Sequence, residues 1–359
     1  MDVQAAVERR VSSGEVHGAA WLVDRAGDVS SGAVGISGPD SVFRISSVTK
    51  PVVAALAMGL VDEGLLRLDD PVDALLPELA DRRVLRRPDG PIDDTVPADR
   101  PITVRDVLGF RLGLGMDFTG PFPGTVLGAL AEQGLPVGPP APQASPGPDE
   151  WMRIVGSVPL SHQPGARWLY NTGAQVLGVL VARAAGRPLP DLLAERLLDP
   201  LGMTDTGFWV PPDSLDRVEP LWLGPDVYDE PDGQWATPPA FPDAASGLVS
   251  TVTDLHALAR ALRAGGGPVL SPAAVTQLVT AAGDAHDPDG GEGWGLGVGV
   301  CVAERPDGRH AGSYGWDGGL GSTWWTDPVT DTIAILLTTD AWTSPQPTPV
   351  FTDFWTAAF

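Results

Sequence analysis

The chain has 359 residues, of which 43% are hydrophobic and 19% charged, with a formal net charge of −23 and a pI near 4.3. So acidic a chain offers no basic surface for phosphate backbones, which argues against nucleic acid as a partner. No apolar run approaches a membrane span, Met1 to Arg10 has no apolar core segment, and Cys301 is the single cysteine, so a globular protein of the reducing cytoplasm is expected, with no membrane contact and no internal disulfide.

Val3 to Val11 has the spacing of a short amphipathic helix, and Ala19 to Val23 reads as a strand that continues through a glycine turn toward Val29. His17 sits in the turn between them, where a structural role is expected. Phe43-Arg44-Ile45 then leads into Ser47-Val48-Thr49-Lys50. Residues i and i+3 share a helix face, so Lys50 is expected beside the Ser47 hydroxyl. Pro51 is tolerated only in a helix's first turn, which places the helix start close to Ser47. Unpaired N–H groups there favour negative charge. Val52 to Val61 has no polar side chain, so the helix is expected to be buried, with Gly64 suited to its C-terminal cap.

Composition singles out the same lysine. Of 23 basic residues, Lys50 is the one lysine and the other 22 are arginines. An arginine keeps its proton in a protein, whereas a desolvated lysine can release one. The competing reading is codon bias with a surviving surface charge.

After a short helix ending near Leu79, Arg82 to Pro101 exchanges periodicity for charge and proline, which marks a domain crossing. Thr103 to Phe110 is a short helix. Gly120 to Pro148, rich in glycine and proline, reads as a loop and a candidate lid. Glu150 to Val158 resumes as helix. In Gln163-Pro164-Gly165-Ala166-Arg167-Trp168-Leu169-Tyr170-Asn171-Thr172-Gly173, Tyr170 falls on a connection before an apolar helix from Ala174 to Ala185, and His162 is a turn residue. A phenol near an ammonium can act as a base; a packed, hydrogen-bonded tyrosine is the alternative.

Pro190 to Leu198 reads as helix, Phe208 to Pro242 as irregular pocket wall, and Thr253 to Leu262 and Ser271 to Thr280 as helices, with His256 facing solvent. Asp284 to Glu292 lacks the ligand spacing of a calcium loop and reads as a solvated turn. No metal or cofactor is implied. Strands are expected at Leu296 to Ala303, Gly321 to Thr326 and Thr332 to Thr338, in an antiparallel sheet with Cys301 as a core thiol, followed by a helix near Phe351 to Ala357. Tyr314-Gly315-Trp316-Asp317-Gly318-Gly319-Leu320-Gly321 precedes one of these strands, and so much glycine allows close backbone approach with N–H groups free, as an oxyanion hole requires. A plain turn is the alternative.

Together these stretches resemble the serine β-lactamase and penicillin-binding superfamily, closest to its class C-like branch and the family VIII carboxylesterases. Leu201-Gly202-Met203-Thr204-Asp205-Thr206-Gly207-Phe208 and Gly247-Leu248-Val249-Ser250-Thr251 carry the resemblance further, so that it covers nearly the whole chain. It implies an α/β fold: an antiparallel sheet flanked by helices and built from both termini (1–81 and 240–359), with an inserted helical domain (82–239). It also implies Ser47 as acylated nucleophile, Lys50 as proton acceptor, Tyr170 as proton shuttle, and the N–H groups of Ser47 and Gly319 as oxyanion hole. Trp316-Asp317-Gly318 would stand at the substrate-binding third motif, with Asn171 one position off the family's usual asparagine. A rival register puts His310-Ala311-Gly312 at that motif.

The function implied is a serine hydrolase acting on small-molecule esters through an acyl-enzyme. An acyltransferase or peptide-cyclising thioesterase, a weak β-lactamase or D-Ala-D-Ala peptidase, and a non-catalytic binding protein are the alternatives. A tryptophan and an acid in place of the third-motif cation disfavour carboxylate-bearing β-lactams.

Overall fold

The computed structural model describes residues 2–120, 122–282 and 290–359. Seven strands form one antiparallel sheet: β1 (Gly18–Arg25), β2 (Asp28–Gly35), β3 (Glu292–Trp294), β4 (Gly299–Cys301), β5 (Tyr314–Gly318), β6 (Ser322–Asp327) and β7 (Thr332–Thr338). Their spatial order is β2-β1-β7-β6-β5-β4-β3, so strands from the two ends of the chain pair within one sheet, with Leu22 opposite Ile335. The turn expected over 284–292 lies mostly outside the described residues.

Period-two alternation sorts the side chains to two cores. Trp21, Val23, Trp325 and Leu336 face the helices α1 (Val3–Ser12) and α5 (Pro349–Ala358), where Val7, Phe351 and Phe354 are buried. Leu22, Trp324, Ile335 and Leu337 face the other way, toward α2 (Thr49–Asp62), α3 (Thr172–Ala185) and α4 (Val252–Arg263). This second core is continuous from the sheet through Val52 and Leu56 to Leu114, Leu130 and Val176. Residues 82–239 hold helices separated by long irregular stretches, and two short ribbons, Arg83–Leu85 with Thr95–Pro97 and Leu221–Leu223 with Asp226–Asp229.

Helix α2 is the central post. Eleven of its residues are buried, Lys50 among them, and it ends where Gly64 takes a left-handed φ of +75°. Within the expected loop 120–148, Gly124–Glu132 forms a helix that buries Val126, Leu127 and Leu130. Flanking glycines hide that helix in the sequence, while its apolar side chains give it a core to join.

His256 differs from expectation. It is 8% exposed, and its Nε2 is 2.8 Å from Asp24 Oδ2, which also accepts from Arg263 at 3.1 Å. A buried carboxylate on β1 needs donors, and α4 supplies them. Cys301 is buried, and burial pushes its thiol up to about 12. Among the described residues no helix is long and apolar enough to cross a membrane.

Candidate active site

Three segments converge at the start of α2. The chain arrives through Phe43 and Arg44, whose strand pairs with Val249 and Ser250, and turns sharply at Ser46. Ser46 is not glycine and yet holds φ at +44°, a conformation that costs about 1–3 kcal/mol and persists only where the surroundings impose it. Here the Ile45 carbonyl is fixed by the Ser322 hydroxyl at 2.6 Å and by the Val48 N–H at 3.1 Å. A 3₁₀ turn over Ser46–Val48 then runs directly into α2. Ser47 therefore sits on the helix threshold, 9% exposed, with Pro51 in the first helical turn.

Lys50 is 1% exposed. Its Nζ donates to Ser47 Oγ at 2.8 Å and to the Ala245 carbonyl at 2.9 Å, and lies 4.4 Å from the centre of the Tyr170 ring. A polar group held this far from water needs such acceptors, and Ser47 and Ala245 supply them.

Tyr170 stands just before α3, followed by Asn171, which holds a left-handed φ of +77° at the helix N-cap. The Tyr170 hydroxyl accepts a hydrogen bond from Trp316 Nε1 at 2.9 Å. Phe110, Phe118, Trp168 and Trp316 surround the phenol ring, with centroids 5.2–6.0 Å away. Tyr170 also lines a cavity of about 80 Å³ together with Asn171, Gln175, Asp243, Leu127 and the proline-rich segment 135–142.

The glycine-rich stretch is a strand, β5, with a turn after it. Gly318 lies so close to the nucleophile turn that a Cβ there would stand 2.5 Å from Ile45 O and 3.1 Å from Ser47 N, so only glycine permits this approach. Gly319 follows in open space, and its carbonyl is held by the Trp342 N–H. Among the described residues neither the Ser47 nor the Gly319 N–H donates to a backbone carbonyl.

The structure brings Ser47, Lys50, Tyr170, Trp316, Gly318 and Gly319 together, and separates Asp317 from them. Alternation along β5 turns Asp317 to the opposite face, opposite Thr323 in register, where it accepts from Thr323 Oγ1 at 2.5 Å and Trp325 Nε1 at 2.9 Å. Burial pushes its carboxyl up, with Arg309 pulling the other way. Asp317 therefore makes no contact in the cleft. His310, the anchor of the rival register, lies before β5 and pairs with Asp327 at 2.7 Å, which removes it as a cleft cation.

Sequence reasoning missed Asp243. Its Oδ1 accepts from the Ala245 N–H at 2.8 Å, and its Oδ2 from the Ser246 hydroxyl at 3.0 Å and from Gln175 at 3.3 Å. Burial pushes its carboxyl above the usual range, opposed by the Ala245 N–H and by the Lys50 charge. A lone acid between Pro242 and Ala244 carries no periodic signal; only its adjacency to the small-residue stretch beginning at Ala244 could have drawn attention to it.

This geometry has relatives. A family model described as Beta-lactamase matches residues 3–348. An uncharacterised protein of Mycobacterium tuberculosis is 37% identical over 322 residues, which cover 83% of this chain and 77% of that one. Esterase EstB of Burkholderia gladioli is 30% identical over 329 residues, 84% of this chain and 78% of its own. The solved structure of EstCE1, titled a hydrolase with promiscuous acyltransferase activity, has the same fold, with a TM-score of 0.83 at 24% identity over 99% of this chain and 97% of that one. The family match spans nearly the whole chain, the relatives include an esterase and a hydrolase with acyltransferase activity, and the chain belongs to the Beta-lactamase family.

Proposed function

We propose that the protein is a serine hydrolase that cleaves small-molecule esters through an acyl-enzyme, a carboxylesterase-like activity needing no metal or cofactor. The observation that carries this reading is the 2.8 Å contact between Lys50 Nζ and Ser47 Oγ in a buried setting. Lys50, acting as the free amine, takes the Ser47 proton as Oγ attacks the ester carbonyl. The oxyanion is held by the N–H groups of Ser47 and Gly319. The departing alkoxide takes up a proton from the Lys50–Tyr170 pair, leaving the acyl group on Ser47. Water then gives a proton to the same pair and attacks the acyl carbon, and Ser47 is released with its proton restored.

Trp316, Gly318 and Asn171 border the space where the ester would lie. Among the described residues no arginine lines the cavity at Tyr170 and Asn171, and Lys50 is committed to Ser47, so an uncharged acyl group fits better than a carboxylate. Ser47→Ala and Lys50→Ala are each expected to abolish turnover of a short-chain p-nitrophenyl ester. Wild-type turnover in either variant would reject the assignment.

A further inference from the structure

Lys50 is held from two sides: by Ser47 and by the carbonyl of Ala245. That carbonyl belongs to a turn rather than to a helix or strand, so something must fix its direction. The residue placed to do so is Asp243. Its side chain accepts the Ala245 N–H at 2.8 Å, the two-residue reach by which an aspartate shapes its own backbone. Its own carbonyl accepts the N–H groups of Ser246 at 3.2 Å and Gly247 at 2.8 Å. Both ends of residue 243 are thereby locked onto the segment that presents the Ala245 oxygen. A Cβ on Gly247 would stand 2.8 Å from the Asp243 carbonyl, so the turn is also too tight for a larger residue there.

We infer that Asp243 is a positioning residue: by capping the 243–247 turn through the Ala245 N–H, it aims the Ala245 carbonyl at Lys50 and keeps the lysine Nζ on Ser47. It acts through Lys50 and does not touch the reacting atoms. The inference rests on the reading of Lys50 as proton acceptor given above.

The test is steady-state kinetics of the full chain on p-nitrophenyl acetate, with wild type, Asp243→Ala and Asp243→Asn. Displacing a reacting group by about an ångström can lower a rate by roughly 100-fold. Asp243→Ala is therefore expected to lose about 10- to 100-fold in kcat with KM within about threefold of wild type. Asp243→Asn keeps an amide oxygen able to accept the Ala245 N–H, and its kcat should return to within about threefold of wild type.

A wild-type kcat in Asp243→Ala would overturn the proposal. So would a loss confined to KM, which marks a substrate contact, or an Asp243→Asn as slow as Asp243→Ala, which marks a role for the charge rather than the cap. If Asp243→Ala lacks a native circular dichroism spectrum, Asp243→Leu, which keeps the shape of the side chain and has no atom able to accept the Ala245 N–H, takes its place, and a wild-type kcat there overturns the proposal equally. Absence of turnover in the wild type itself would overturn the ester hydrolase reading and this proposal together, whereas an active wild type with an unaffected Asp243→Ala removes this proposal alone.

Discussion

The indole N–H of Trp316 donates to the Tyr170 hydroxyl at 2.9 Å, joining the strand that borders the cleft to the connection that precedes α3. This bond fixes the direction of the phenol oxygen, whose ring lies against the Lys50 ammonium. Trp316→Phe keeps an aromatic ring and removes the donor. A neutral hydrogen bond contributes about 0.5–1.5 kcal/mol, so kcat/KM on p-nitrophenyl acetate should fall roughly 3- to 10-fold. An unchanged value would show that the phenol needs no such anchor.

Carboxylate-bearing substrates should fare worse than simple esters. Among the described residues no arginine borders the cavity at Tyr170, while Asp243 does. A charge-assisted hydrogen bond contributes about 1.5–3 kcal/mol, which corresponds to roughly 10- to 100-fold in rate. Nitrocefin hydrolysis, followed by absorbance, is expected at a kcat/KM at least that far below the value for p-nitrophenyl acetate. Equal or faster nitrocefin turnover would make the protein a β-lactamase in practice.

The buried His256 sets a pH dependence of stability. Burial, opposed by Asp24, lowers its proton affinity below the ordinary value of 6.5. The unfolded chain therefore binds a proton more readily than the folded one below pH 6.5, and stability is lost as pH falls from there toward the folded value. His310 works in the opposite sense, since Asp327 raises its proton affinity and that stabilisation is lost as pH rises. His256→Gln, whose amide can still donate to Asp24, isolates the first effect. Its Tm should drop less than that of wild type between pH 7.5 and 5.5, as read by thermal denaturation. Parallel Tm curves would place the pH dependence elsewhere.

Local chemistry made part of this readable in advance. Ser47, Lys50 and Pro51 stand together in sequence, so helical spacing alone predicts the contact between the first two, and the apolar run after Val52 announces a buried helix. Strand β5 was hidden because Gly315 and Gly318 interrupt its alternation, and the glycine that breaks the pattern is the one that lets the strand approach Ile45 and Ser47. The same unrecognised alternation put Asp317 on the wrong side. His256 looked exposed because its partner, Asp24, is 232 residues away. Asp243 acts through a turn whose meaning depends on a lysine almost 200 residues earlier.

The central claim is that Ser47 is the residue that becomes acylated. Intact-mass and peptide mass spectrometry after treatment with a fluorophosphonate measures this directly. The account predicts one covalent adduct per chain on Ser47, absent in Ser47→Ala and formed far more slowly in Lys50→Ala. An adduct on another residue, or none on the folded wild-type protein, would contradict it.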